Sequence, residues 1–240
     1  MAHDEPVTAV VFDVLGTLLD ETGARAAVLR AALRDTPDRA GQLAAEWDDR
    51  VSRWMSAIAA GERPFRPDHE LELAALTEVL GAHGLQLPRQ QTAELARFGS
   101  RVEPFPGVPE ALAELRAELP VVALTNAGLD QAAAMFGHLG WEWTAVISAE
   151  SVAAYKPDPR MYRRALEVLG LPAEQVLMVA AHPWDLDAAA GEGLRTALLD
   201  RGADGSRCDG RYDVVAPDPG TLVGTLLSGQ PTSSSRRSRT

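Results

Sequence analysis

Four short stretches of this chain carry side chains that can do chemistry. VVFDVLGTLLDE, residues 10–21, drives a run of apolar β-formers into one aspartate, Asp13, and follows it with a turn at Gly16 and Thr17. LTNAG supplies Thr125 and Asn126, and YKPDPRMY supplies Lys156, with Tyr162 six residues further on. AAHPWDLDAAAGEGLRT supplies His182, Trp184 and Asp185. A carboxylate delivered at a strand end can act as a covalent nucleophile, which splits one hard displacement into two easier ones. A lysine within ~4–6 Å would keep it ionised. Thr17, Thr125, Asn126 and turn N–H groups could fix a substrate carboxylate or a leaving group. Singly, each stretch has a plain reading: a turn cap, a helix start, a solvated lysine. In this order, on these elements, they are far more specific.

The elements that must hold these groups can be read from the same sequence. Apolar β-rich runs recur at TAVVFD 8–13, PVVALTN 120–126, QVLMVAAH 175–182, TALLD 196–200 and YDVVAPD 212–218. Helical patterns lie between most of them, at 109–119, 159–170 and 185–194, so an α/β fold on a parallel sheet is predicted. In such sheets reactive groups gather beyond the carboxyl ends of the strands. Pro157 and Pro159 stiffen the approach of Lys156 to the next helix. Residues about 20–100 break the alternation with long helical patterns and no convincing strand, which reads as an inserted helical subdomain. The expected division is a core of residues 1–19 and 101–227, a helical cap of 20–100, and a polar, disordered tail of 228–240. VEPFPGVPE, 102–110, is the expected return hinge.

Composition narrows the partners. The 46% hydrophobic and 24% charged residues are those of an ordinary globular protein. A formal net charge of -11 argues against nucleic acid and anionic membrane surfaces, both of which are polyanions. No run approaches the roughly 20 apolar residues of a membrane span, and the charged MAHDEP start is not that of a signal peptide. The lone cysteine, Cys208, excludes an internal disulfide framework and fits a reducing cytoplasm; its polar setting reads as a structural turn. A homodimer is compatible with the sequence, which does not fix an oligomeric state.

The four stretches, over about residues 7–220, resemble the motifs of the haloacid dehalogenase superfamily of aspartate-nucleophile hydrolases. The resemblance implies a Rossmann-like core with a helical cap of the first type between Leu18 and about Val102, and an ester formed on Asp13 that water then hydrolyses. Two departures separate the chain from that superfamily's phosphatases. Leu15 stands where they carry a second, proton-transferring aspartate, and Ala181-His182 stands where they carry a Gly-Asp magnesium ligand. A halide leaves without protonation and needs neither group. The chain is closer to the 2-haloacid dehalogenase branch, by an apolar residue at position 15, Thr125-Asn126, Trp184-Asp185 and Tyr162.

That likeness implies a small carboxylate substrate and no metal or other cofactor. Asp13, Lys156, Asp185 and Thr17 would be catalytic. Leu15, Thr125, Asn126, Tyr162, His182, Trp184 and Arg50 would line the substrate site. Asp185 would orient Lys156 and the hydrolytic water, and Trp184 would wall the pocket. The branch has an arginine just after a cap tryptophan; here Asp48 follows Trp47, so Arg50, one turn on, is the expected substitute. Trp47, Arg50 and Trp54 share a helix face bordered by Met55, and that face is expected to look into the cleft. A magnesium-dependent phosphatase and a non-catalytic binding protein are the alternatives. The complete set of Asp13, Lys156 and Asp185 speaks against an idle pocket.

Overall fold

The computed structural model describes residues 6–34, 36–201 and 211–228; Cys208 and the tail beyond Ser228 lie outside them. Six strands form one parallel sheet: β1 (Ala9–Phe12), β2 (Val121–Thr125), β3 (Ala145–Ser148), β4 (Val176–Ala180), β5 (Arg195–Leu199) and β6 (Val214–Ala216). Their order is β3-β2-β1-β4-β5-β6. The chain therefore winds one way from β1 and the other way from β4, and the crevice between these two is where such sheets bind ligands.

The strand sequences look as they do because both faces of the sheet are covered. Val10 and Phe12 of β1 join one apolar cluster while Ala9 and Val11 join the other. Alternate residues thus enter opposite cores, and a near-continuous apolar run is the result. Helices α5 (Val108–Glu118), α6 (Leu129–Leu139), α8 (Pro159–Leu169), α9 (Pro183–Gly191) and α10 (Pro219–Ser228) flank the sheet, with the one-turn helix α7 (Ala149–Val152) after β3. Five of the strands coincide with the apolar runs. The sixth, β3, escaped notice because it is a four-residue edge strand whose first half, Ala145 and Val146, is not buried. Its sequence, AVIS, carries no long apolar signal.

Between β1 and α5 the chain makes helices α1 (Glu21–Leu33), α2 (Pro37–Ala59), α3 (Asp68–Ala82) and α4 (Arg89–Leu95), with no strand among the described residues. The 23-residue α2 packs between α1 and α3. Thr36 caps α2, its side chain accepting from Arg39 N, and Pro37 occupies the first turn, where a missing N–H costs nothing. Trp47 of α2 is fully buried and meets Phe98 edge-on, ring centroids 5.5 Å apart. No helix among the described residues is long and apolar enough to cross a membrane.

Candidate active site

Asp13 follows β1 directly, and its N–H still donates to Val179 O of β4 at 2.9 Å. The central strand thus ends with its first polar side chain at the switch point. Both carboxylate oxygens are spoken for. Oδ1 accepts from Lys156 Nζ at 2.7 Å; Oδ2 accepts from Thr17 Oγ1 at 2.6 Å and lies 3.0 Å from His182 Nδ1. Burial works to raise the Asp13 carboxyl, but the Lys156 charge and the His182 hydrogen bond outweigh it and hold it well below the usual carboxylate range.

Lys156 is the hinge of the site. Its ammonium donates to Asp13 and also to Asp185 Oδ2 at 2.6 Å, and Tyr162 Oη donates to the other oxygen of Asp185 at 2.5 Å. Burial alone would push the Lys156 amine down, yet the two flanking carboxylates overcome it and keep the ammonium form. The Asp185 carboxyl goes the other way: burial raises it more than Lys156 lowers it.

The turn after Asp13 explains Gly16 and Thr17. Gly16 has φ +77°, and a β-carbon there would stand 2.7 Å from His182 Cε1. Only glycine lets the imidazole lie against this turn. Thr17 donates to Asp13 and accepts from Ala181 N at 2.8 Å, so it ties the β1 turn to the β4 end. Arg201, stacked over Phe105, donates to Thr17 O and fastens the same turn from outside. His182 and Trp184 stack with centroids 5.6 Å apart, and Trp184 remains 45% exposed at the rim.

A cavity of about 310 Å³ opens over Asp13. Of the residues expected to line it, Leu15, Thr125, Asn126, His182 and Trp184 do so, beside Asp13 and Lys156. Two expectations, those for Tyr162 and Arg50, need correction. Tyr162 does not line the cavity; it is fully buried beneath Asp185. Asn126 lines it as expected, and its side chain also holds the Lys156 backbone, accepting from Lys156 N at 2.7 Å and donating to Lys156 O at 3.3 Å. Arg50 does not face the cavity at all and pairs with Glu78 of α3.

The helix face that lines the cavity lies one residue round from the expected one. Trp47 and Trp54 join the apolar cluster that packs α2 against its neighbours, because large aromatic surface gains more from burial than from lining a wet cleft, and Arg50 on the same face pairs with Glu78. The adjacent set, Asp48, Val51, Ser52 and Met55, lines the cavity instead. Its spacing is also i, i+3, i+4, i+7, so the signal was present but less conspicuous than two tryptophans. Arg25 of α1, with Glu21, Asp68 and Glu72, completes the lining. An arginine inside an alanine-rich helix gave no sequence signal of this.

These positions do not fit a magnesium site. Leu15 has no donor, His182 offers imidazole where the hard cation takes oxygen, and the ammonium of Lys156 bridges the two acids. Among the described residues His69, Asp130 and Glu150 are grouped closely enough to hold a metal, but none lines the cavity.

A parallel sheet of this order, with an acid–lysine–acid chain at its switch point, defines an α/β protein with a Rossmann-like core and a charged site at the carboxyl ends of its strands. Residues 7–193 match the family model of the haloacid dehalogenase-like hydrolases, and the chain belongs to that family. It is 30% identical over 199 residues to the (S)-2-haloacid dehalogenase of Xanthobacter autotrophicus, covering 81% of this chain and 76% of that one. A solved L-2-haloacid dehalogenase superposes with a TM-score of 0.85 at 28% identity, covering 93% of this chain and all of the other. The solved L-2-haloacid dehalogenase of Xanthobacter autotrophicus with chloropropionic acid covalently bound superposes with a TM-score of 0.80 at 26% identity. That comparison covers 94% of this chain and 100% of the other.

Proposed function

We propose that this enzyme hydrolyses the carbon–halogen bond of small 2-haloalkanoic acids through an ester on Asp13, with no metal. The observation that carries the reading is the ammonium of Lys156 held between Asp13 and Asp185, beneath a cavity in which position 15 is leucine. A carboxylate kept ionised beside a cation, with no neighbouring proton donor at position 15, suits a leaving group that departs as a stable anion.

In the first step a carboxylate oxygen of Asp13 attacks C2 from the side opposite the halogen. The C–O bond forms as the C–halogen bond breaks, and the halide leaves with the electron pair. In the second step water adds to the Asp13 carboxyl carbon. Its proton passes to His182, which lines the cavity beside Asp13, the C2 alkoxide is expelled and takes that proton to become the 2-hydroxy acid, and the carboxylate returns. Esterification removes the Asp13 charge that favours the imidazolium of His182, which leaves that ring freer to accept a proton. Displacement inverts C2 and hydrolysis does not touch it, so the product has inverted configuration. Relatives named for (S)-2-haloacids favour the (S) enantiomer as substrate. On this reading residues 1–19 and 101–227 form the core, and 20–100 form a cap that closes the cavity. The acidic, single-cysteine chain suits the cytoplasm.

The test is halide release from the two enantiomers of 2-chloropropionate after chelator treatment. Release from the (S) form with (R)-lactate as product supports the reading. Magnesium-dependent phosphate release from an aryl phosphate, without halide release, would replace it by a phosphatase. Size-exclusion chromatography of the same preparation tests the homodimer.

A further inference from the structure

The helical wall of the cavity is unlike its floor. It carries four acids, Glu21 of α1, Asp48 of α2, and Asp68 and Glu72 of α3, against one cation, Arg25. Arg25 is committed to the wall's own acids through its two terminal nitrogens, while its Nε has no hydrogen-bond partner among the described residues. Its guanidinium donates to Asp48 and to Glu72 Oε1, lies 2.8 Å from Glu21, and sits 4.7 Å above the Phe98 ring. Such a network holds α1, α2 and α3 together, but it needs fewer carboxylates than are present. Glu72 is buried, and its second oxygen, Oε2, has no hydrogen-bond partner among the described residues. Asp68, also buried, accepts from Gly128 N at 2.9 Å and adds another carboxyl group to the same wall. The second basic side chain facing the cavity, Lys156, is bound to Asp13 and Asp185.

We infer that this wall is a subsite for a cationic, hydrogen-bond-donating end of the substrate: a 2-halo acid whose chain carries a primary ammonium group. An ammonium has three donors and no acceptor, which matches a wall with surplus acceptors and an unpartnered carboxylate oxygen. A second carboxylate at that end would add further acceptors where the wall already has a surplus. Without the cation the wall holds protons in its place. Burial pushes Glu21 and Glu72 to about 8 and Asp68 to about 7, despite Arg25. The volume of about 310 Å³ lies at the lower end of the roughly 300–1,000 Å³ of small-molecule sites, and it has room for a chain beyond C3.

The inference rests on the dehalogenase reading for the identity of the reacting bond, but its binding half can be tested alone. Calorimetric titration at pH 8 with two halogen-free isosteres, 4-aminobutanoate and pentanoate, isolates the charge. The ammonium acid should bind about tenfold or more tighter, the scale of one charge-assisted hydrogen bond. In Glu72→Gln and in Asp68→Asn that ratio should shrink toward one. Because it compares two ligands on one preparation, a folding defect common to both cancels. Halide release from 4-amino-2-chlorobutanoate, 2-chloropentanoate and 2-chloroglutarate, corrected for the enzyme-free rate, should fall in that order. Equal or weaker binding of the ammonium acid, or a ratio unchanged in both variants, overturns the subsite. Absence of halide release from all three with the binding preference intact overturns the dehalogenase reading and keeps the cation subsite.

Discussion

Asn126 and Lys156 are joined through the lysine's own backbone: Lys156 N donates to Asn126 Oδ1 at 2.7 Å, and Asn126 Nδ2 donates back to Lys156 O at 3.3 Å. An amide on the β2 end thus sets where the loop before α8 enters the site. Asn126→Ala removes both bonds, each of which contributes about 0.5–1.5 kcal/mol. The ammonium should then lose its fixed place between Asp13 and Asp185. We expect kcat to fall roughly 10–100-fold with a smaller change in KM, measured as halide release under saturating substrate. A rise in KM alone would mean that Asn126 holds the substrate and not the lysine.

Asp13→Asn keeps the shape of the side chain and removes the nucleophile. Turnover should drop by roughly 10³ or more, while the circular dichroism spectrum stays native. In single-turnover experiments in heavy-oxygen water, the wild-type label should enter Asp13 before it reaches product. Label passing directly into product would show that water, and not Asp13, attacks C2.

How much of this was legible follows from what each residue depends on. Asp13, Lys156 and Asp185 stand in strand-end stretches whose apolar runs are unmistakable, so both the sheet and its reactive groups could be read. The helical wall could not be read in the same way. Arg25 and Glu72 lie 47 positions apart and meet only because α1 and α3 both pack on α2. Helical periodicity gives faces but not which face meets which neighbour, and the face bearing Trp47 was claimed by the packing of the helices themselves. Arg50 looked available and is instead paired with Glu78 across to α3.

The wall also fixes the direction of a pH effect. Glu21, Glu72 and Asp68 titrate at about 8, 8 and 7 in the folded protein, against 4.5, 4.5 and 3.8 for the same groups unperturbed. Between those values the folded state binds more protons than the unfolded one, so stability falls as pH rises. The contribution is complete below the unperturbed values and is lost as pH passes through the folded ones. His182, also raised, acts in the same sense. Asp13, held low, acts oppositely, but only on the acid side. The melting temperature should therefore decline from pH 5 to pH 9, and Glu72→Gln should flatten the decline by removing one titrating group. Parallel slopes for the two proteins in scanning calorimetry would show that Glu72 does not titrate in this range.

Gly16 makes the most local of the predictions. Its φ of +77° disfavours any residue with a β-carbon, at a cost of about 1–2 kcal/mol, and that carbon would press on His182 at 2.7 Å from Cε1 and 2.9 Å from Nε2. The ring cannot remain where Nδ1 meets Asp13 Oδ2 at 3.0 Å, so Gly16→Ala should displace it. Two consequences separate this from simple destabilisation. The His182 titration, held up by its bond to Asp13, should move down toward the ordinary value near 6.5, as followed by the imidazole proton resonance. The loss of turnover should match that of His182→Ala to within a few fold, because both changes withdraw the same imidazole from the same carboxylate. Combining them should then cost no more than either alone. A Gly16→Ala protein that keeps wild-type turnover and an unshifted His182 resonance would show that the turn can yield. The contact between Gly16 and His182 would then lose its part in the site.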